Sequence, residues 1–384
     1  MSMSDRRPDV RAPSGPPQPP SSPLRIALIG PVYPYRGGIA HYTTLLSRTL
    51  RERGNELLLV SFRRQYPRWL YSGTTDKDPS ASPLLASDAR YWIDSINPFT
   101  WLRTLWGLRR HRPQVVVLPW WTAFLAPAWL CLGVGSRWFL RTRVVFICHN
   151  VLPHEARRWD IWLVRVVLAP ATRLIVQSPA ERERLLKLLP GANVSVIAHP
   201  IYDMFASDSI SQAEGRRRLG LPADVPVLLF FGFVRKYKGL DTALGMLPEL
   251  RARLGHVILL VAGEFWEDKQ VYLDLIEQLG VGDAVVIHDR YIPNEQVATY
   301  FCSADVLVAP YRRMTGSGVM QMAAGFGLPV VPGWVASGQH SSPEGAALAE
   351  EITAVIERQA VGPGVRLSAT GWDNLAECIE SEAA

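Results

Sequence analysis

The chain has 384 residues, 48% hydrophobic and 20% charged, with a formal net charge of +6. That apolar content is enough for two soluble globular domains, each with its own core, and the positive balance points to an anionic partner. Cys131, Cys148, Cys302 and Cys378 are scattered without metal-ligand spacing, which argues against a zinc site and a disulfide scaffold and for a reduced cytosolic compartment.

Residues 1–23, Met1 to Pro23, are rich in Pro, Ser and Arg and lack an apolar h-region, so they read as a disordered arm and not as a signal peptide. Structure is expected from Leu24. Short β-branched runs then alternate with longer helical patterns, the signature of parallel strands joined by crossover helices. Arg25–Gly30, Glu56–Phe62, Gln114–Leu118, Arg143–Cys148, Arg173–Gln177 and Val194–Ile197 are the expected strands of a first sheet. The first strand empties into Gly30 to Ile39, where Gly37 and Gly38 open a helix and could present amides to a phosphate or a sugar hydroxyl. The dinucleotide spacing G-x-G-x-x-G is missing there. A plain strand-to-helix turn is the alternative.

Trp101 to Arg112 interleaves Trp101, Leu102, Leu105, Trp106 and Leu108 with Arg103, Arg109, Arg110, His111 and Arg112. This is either a surface helix with a solvated cationic back or a helix for an anionic membrane surface. No pattern of aromatics and cations fits a nucleic-acid-binding sheet. Val115 to Val134 is the most apolar stretch, but Pro119 and Pro127 punctuate it, so it reads as a buried strand and a buried helix too short to span a bilayer. Cys148 to Glu155 leaves a strand end with His149, a candidate for hydrogen-bonding a sugar hydroxyl or moving a proton; His154 and Glu155 would orient neighbours or cap the next helix.

After a polar passage from Asp203 to Pro226 the pattern restarts, with strands expected at Val227–Gly232, Val257–Ala262, Ala284–His288, Val306–Ala309 and Pro329–Val331. Two doubly wound domains would then face a cleft lined by the carboxyl ends of their strands. The boundaries read as 24–205 and 206–370, with 371–384 a helix crossing back to the first domain. At Phe230 to Leu240 an apolar strand turns at Gly232 into a loop carrying Arg235 and Lys238 just before a helix, a pattern suited to phosphate. The alternative is a solvated basic loop. At Pro310 to Val319 a second glycine loop, with Gly316, Ser317 and Gly318, opens another helix and offers a second grip on the same anion.

The order of these motifs resembles the retaining GT-B glycosyltransferases of the family-four type (glycosyl transferases group 1), over nearly all of Leu24 to the C-terminus. Gly37-Gly38 matches that family's first glycine loop, His149 its strand-end histidine, Lys238-Gly239 its phosphate-binding pair, and Gly327 to Val331 its G-x-P-V-V strand. The resemblance implies a cytoplasmic enzyme, acting at the inner face of a membrane, that moves a sugar from a nucleoside diphosphate sugar to a glycan or lipid-linked acceptor held by the first domain. His149, Arg235 and Lys238 would be catalytic. Gly37, Gly38, Gly316, Ser317 and Gly318 would hold the donor phosphates, and Gly232, Glu264, Tyr291, Ile292 and Gln321 the nucleotide and sugar. The reaction would be a front-face displacement in which the leaving diphosphate takes the acceptor's proton, with no cofactor, no metal and no nucleic acid.

Two departures stand out. The family's pair of glutamates is absent, its positions falling near Met314 and Met322, with Gln321 as a substitute polar contact. The loop arginine sits at Arg235, two places after Phe233. An epimerase or hydrolase of the same fold, drawing on Glu264 and Glu267, and a non-catalytic nucleotide-sugar-binding protein therefore remain alternatives.

Overall fold

The computed structural model describes residues 22–71, 73–86, 88–152, 158–206, 210–312, 317–332, 345–359 and 371–383. Two parallel sheets organise them. The first contains β1 (Arg25–Ile29), β2 (Glu56–Arg64), β3 (Arg90–Asp94), β4 (Val115–Trp120), β5 (Arg143–Cys148), β6 (Arg173–Val176) and β7 (Val194–Val196), in the order β3-β2-β1-β4-β5-β6-β7. The second contains β8 (Val227–Phe231), β9 (Ile258–Ala262), β10 (Val285–His288), β11 (Val306–Ala309) and β12 (Val330–Pro332), in the order β10-β9-β8-β11-β12. β4, β8 and β9 are buried along their whole length, which is why they read as continuous apolar runs and not as alternating ones.

Every expected strand is present, and β3 is an addition. It is a sheet-edge strand, Arg-Tyr-Trp-Ile-Asp, in which only Ile93 is buried, and its pairing with β2 shifts register at Phe62. An edge strand with one buried side chain gives little periodic signal. β4 also runs further than expected, through Pro119 and Trp120. Its ladder to β1 ends at Val117, whereas Pro119 pairs with Ile147 of β5, so the missing proline N–H falls where β1 has already finished.

Helices α1 (Gly38–Glu52), α2 (Pro98–His111), α3 (Ala126–Val134), α4 (Arg158–Leu168) and α5 (Pro179–Leu188) cover the first sheet. Those that serve the second are α6 (Gln212–Leu219), α7 (Leu240–Gly245), α8 (Leu247–Leu254), α9 (Gln270–Leu279), α10 (Asn294–Ser303), α11 (Gly318–Phe326) and α12 (Gly345–Gln359). The last helix, α13 (Gly371–Glu380), packs on α1 and β4 of the first domain. Its Glu380 accepts from Arg53 Nη2 at 2.8 Å and Asn55 Nδ2 at 2.7 Å, all three residues being buried. One apolar core runs through both domains, joining Leu28 and Ile147 to Leu229 and Leu260 by way of Tyr202, Phe205 and α13. Strand order reverses between β1 and β4 and between β8 and β11. Such switch points open a crevice at the carboxyl ends of the strands, so the loops after β1, β8 and β11 are brought together.

Candidate active site

A cavity of about 200 Å³ lies between the domains, with Gly37, Gly38 and His41 on one side and Gly232, Lys238 and Gly318 on the other. β8 turns into it at Gly232, whose φ of +90° favours glycine. Its partner is Gly263, where a Cβ would sit 2.1 Å from the Gly232 carbonyl oxygen, so the ends of β8 and β9 can close together only without a side chain there. A single 3₁₀ turn, Lys236–Lys238, follows. Glu267 accepts from the Lys236 amide, and Gly239 passes beneath the Pro310 carbonyl, 2.2 Å from where its Cβ would stand.

This turn buries Lys238. Its Nζ lies 2.9 Å from the Cβ position of Gly232, and Val319 Cγ2 lies 3.4 Å from the same point, which puts the ammonium at the first turn of α11. Among the described residues no carboxylate pairs with it. Burial, and after it the nearby Arg235 charge, push its pKa down to about 7. Ser317 caps α11, its Oγ accepting from the Met320 amide at 3.4 Å. A buried cation with no carboxylate partner among the described residues, beside a helix N-terminus, has the chemistry that suits an anion.

Not every expected residue converges here. Arg235 is exposed and lies over the Trp266 ring at 4.8 Å, contributing field and not lining the cavity. Gln321 is half-buried, and its carbonyl accepts from the Tyr202 amide at 3.4 Å. Gly316, like His154 and Glu155, falls outside the described residues. Tyr291 and Ile292 do line the cavity.

Glu264 lines it too, but its carboxylate is occupied by the first domain: Arg36 ion-pairs with it, and Thr74 donates from N at 2.8 Å and from Oγ1 at 3.1 Å. The Arg36 guanidinium sits over Tyr71, Phe233 and Tyr291 at 5.7, 5.3 and 4.9 Å. Further along the same first-domain segment, the Asn294 amide donates to Ser80 Oγ at 2.9 Å and the Ala81 amide to Glu295 at 3.1 Å. Tyr71 and residues 73–82 therefore form a strap across the cleft. Sequence reasoning missed Arg36, although it adjoins Gly37, because its partner is 228 positions away.

His149 leaves β5 as expected but is buried outside the cavity lining. Its Nδ1 is 3.3 Å from Gln177 Nε2, and its ring meets Tyr42 edge-on at 4.6 Å. Burial, with His199 next in effect, pushes its pKa down to about 3. The histidine that does line the cavity is His41, in the first turn of α1. Asn294 lies beside it, yet neither ring nitrogen reaches hydrogen-bond geometry with a partner among the described residues. Burial holds its pKa down at about 4, so the ring is neutral at pH 7. Its spacing after Gly37-Gly38, one turn into the helix, was the available signal.

Two family profiles match in sequence: Glycosyl transferase 4-like domain over residues 37–200 and Glycosyl transferases group 1 over residues 225–357. The chain belongs to these glycosyltransferase families. It is 32% identical over 178 residues to D-inositol 3-phosphate glycosyltransferase 1 of Catenulispora acidiphila, covering 43% of this chain and 41% of that one. It is 33% identical over 142 residues to the GDP-mannose-dependent alpha-(1-6)-phosphatidylinositol monomannoside mannosyltransferase of Mycolicibacterium smegmatis, covering 34% and 35%. The chain thus spans about two fifths or less of the length of these two curated relatives. Among solved structures, Anabaena Alr3699/HepE in complex with UDP superposes with a TM-score of 0.63 at 15% identity, covering 94% of this chain and 95% of that one. Sucrose-phosphate synthase from Thermosynechococcus elongatus does so with 0.62 at 18%, covering 94% and 96%. The fold is GT-B.

In this glycosyltransferase chain the wall beside Lys238 is apolar where the family's second glutamate is expected: Met322 is buried and lines the cavity. Met314 falls outside the described residues. Among the described residues, no helix is long and apolar enough to cross a membrane.

Proposed function

We propose that this protein transfers a sugar from a nucleoside diphosphate sugar to a glycan or lipid-linked acceptor, with retention of configuration. The observation that carries the reading is Lys238, a buried ammonium with no carboxylate partner among the described residues, beside the N-terminus of α11 in the interdomain cavity. The names of the relatives, a glycosyltransferase and a GDP-mannose-dependent mannosyltransferase, and the UDP complex of a structural neighbour agree with it.

As the bond between the sugar's anomeric carbon and the diphosphate oxygen breaks and the acceptor oxygen bonds to that carbon, negative charge grows on the departing diphosphate. Lys238 and the first amides of α11 stabilise that charge, and Arg235 adds to the field; a preorganised donor of this kind is worth about 3–4 kcal/mol. The diphosphate oxygen accepts the acceptor's proton on the same face, so the reading requires no protein nucleophile, metal or cofactor. His149 lies outside the cavity lining, so His41 is the histidine placed to meet the donor sugar, and the enzyme works in the cytoplasm. The epimerase or hydrolase alternative loses support because the candidate carboxylates are engaged, Glu264 with Arg36 and Thr74, and Glu267 with the Lys236 amide and the Tyr272 hydroxyl.

The test is thermal shift with UDP, GDP and ADP and their sugars, followed by product analysis, with Lys238→Ala alongside. One nucleotide family should stabilise the wild type by about 2.7 kcal/mol at a hundred times its Kd. Lys238→Ala should lose that shift and at least about tenfold in kcat/KM. Turnover unchanged in the variant would overturn the role of Lys238, and no shift with any nucleotide would overturn the donor site.

A further inference from the structure

The arginine excess is concentrated: from Pro98 to Arg165 the sequence carries ten arginines against two carboxylates, Glu155 and Asp160. This stretch includes α2, α3 and α4, which pack side by side over one face of the first sheet and share one core with it. Leu105 of α2 closes on Gly135, at the end of α3, so tightly that a Cβ there would come within 2.5 Å.

What these helices turn outward is aromatic. On α2, Phe99, Leu102 and Trp106 recur at helical spacing on the face opposite the buried Thr104 and Leu108. On α4, Trp159 and Trp162 do the same, while the turn after α3 ends in Trp138 and Phe139. Their exposures run from 55% at Trp106 to 83% at Phe139. Ordinary surface helices do not leave seven large apolar side chains uncovered on three adjacent elements. Arg103, Arg109, Arg110, Arg141 and Arg165 are exposed among them, and Arg110 lies over the Trp106 ring at 3.4 Å. The one carboxylate on these helices, Asp160, is buried.

We infer that this face docks on an anionic phospholipid bilayer, with the tryptophans and phenylalanines entering the headgroup boundary and the arginines pairing with lipid phosphates. Tryptophan with one wet end is favoured at that boundary, and each arginine held near an anionic surface adds to the attraction. Charge chooses the occupant: an apolar protein partner would not call for exposed arginines without interspersed acids. α2 and α4 begin at the carboxyl edge of the sheet, the edge that meets the cleft, so docking would bring a lipid-linked acceptor to the site. Only that last step rests on the proposed transfer activity; the docking itself does not.

The experiment is flotation of the full chain with vesicles of phosphatidylcholine alone or with about 30% phosphatidylglycerol, at low salt and at about 0.5 M NaCl. The chain should float with the anionic vesicles only, with a blue shift of tryptophan emission, and should be released by salt. Trp106→Ser with Trp138→Ser and Phe139→Ser, and separately Arg109→Gln with Arg110→Gln, should each weaken partitioning roughly tenfold. Both variants should keep the wild-type melting temperature and its shift with nucleotide, which separates failure of docking from failure of the donor site. No flotation, equal flotation of wild type and variants, or a dimer in light scattering that the same substitutions disperse would each overturn the inference.

Discussion

Titrating diphosphate affinity between about pH 7.5 and pH 9 perturbs Lys238 without changing a residue. In the free protein burial and Arg235 hold the ammonium down to about 7. A bound diphosphate puts negative charge beside it and raises that pKa again, so the complex keeps the proton that the free protein has lost. Over this range the nucleotide phosphate is already fully ionised, whereas the charged fraction of the free lysine falls from about one quarter to about one hundredth. Affinity for UDP, GDP or ADP, whichever binds, should therefore fall about 25-fold, near 1.9 kcal/mol. Calorimetry in two buffers of different ionisation enthalpy should show close to one proton taken up per complex at the upper end. Lys238→Arg keeps a cation that does not titrate in this range, and its profile should be flat. A flat wild-type profile, or no proton uptake, would refute the assignment of Lys238 as a desolvated phosphate ligand.

Two further outcomes follow from the packing. Glu264→Gln leaves Arg36, whose side chain is 2% exposed, without its counter-charge; the loss should be about 3 kcal/mol, read as a melting temperature lower by roughly 5–10 °C, and a drop under about 2 °C would argue against a strap held by this pair. Gly263→Ala would place its Cβ against the Gly232 carbonyl, and chemical denaturation should report about 2–3 kcal/mol of lost stability; wild-type stability would show that the two strand ends have room to part.

The strands were legible from their residues because a parallel sheet buried on both faces must be written in unbroken apolar runs, such as Val115 to Leu118 and Val227 to Phe231. β3 was not, since an edge strand with one inward side chain carries almost no pattern. The residues we assign to anion binding were equally local: Gly232, Lys238 and Ser317 lie in loops whose chemistry is set within a few residues by a strand end, a glycine turn and a helix start. Other parts of the site are made by pairs that no short window contains. Only the folded chain brings Arg36 to Glu264, turns His41 into the cavity while burying His149 behind Tyr42, and sets α2, α3 and α4 side by side so that their outward aromatics form one surface. Local sequence determined which backbone amides and cations were available to hold an anion, because those depend on turn geometry and helix ends. Which side chains share the cavity was decided by the closing of one domain on the other, where desolvation and long-range pairing act.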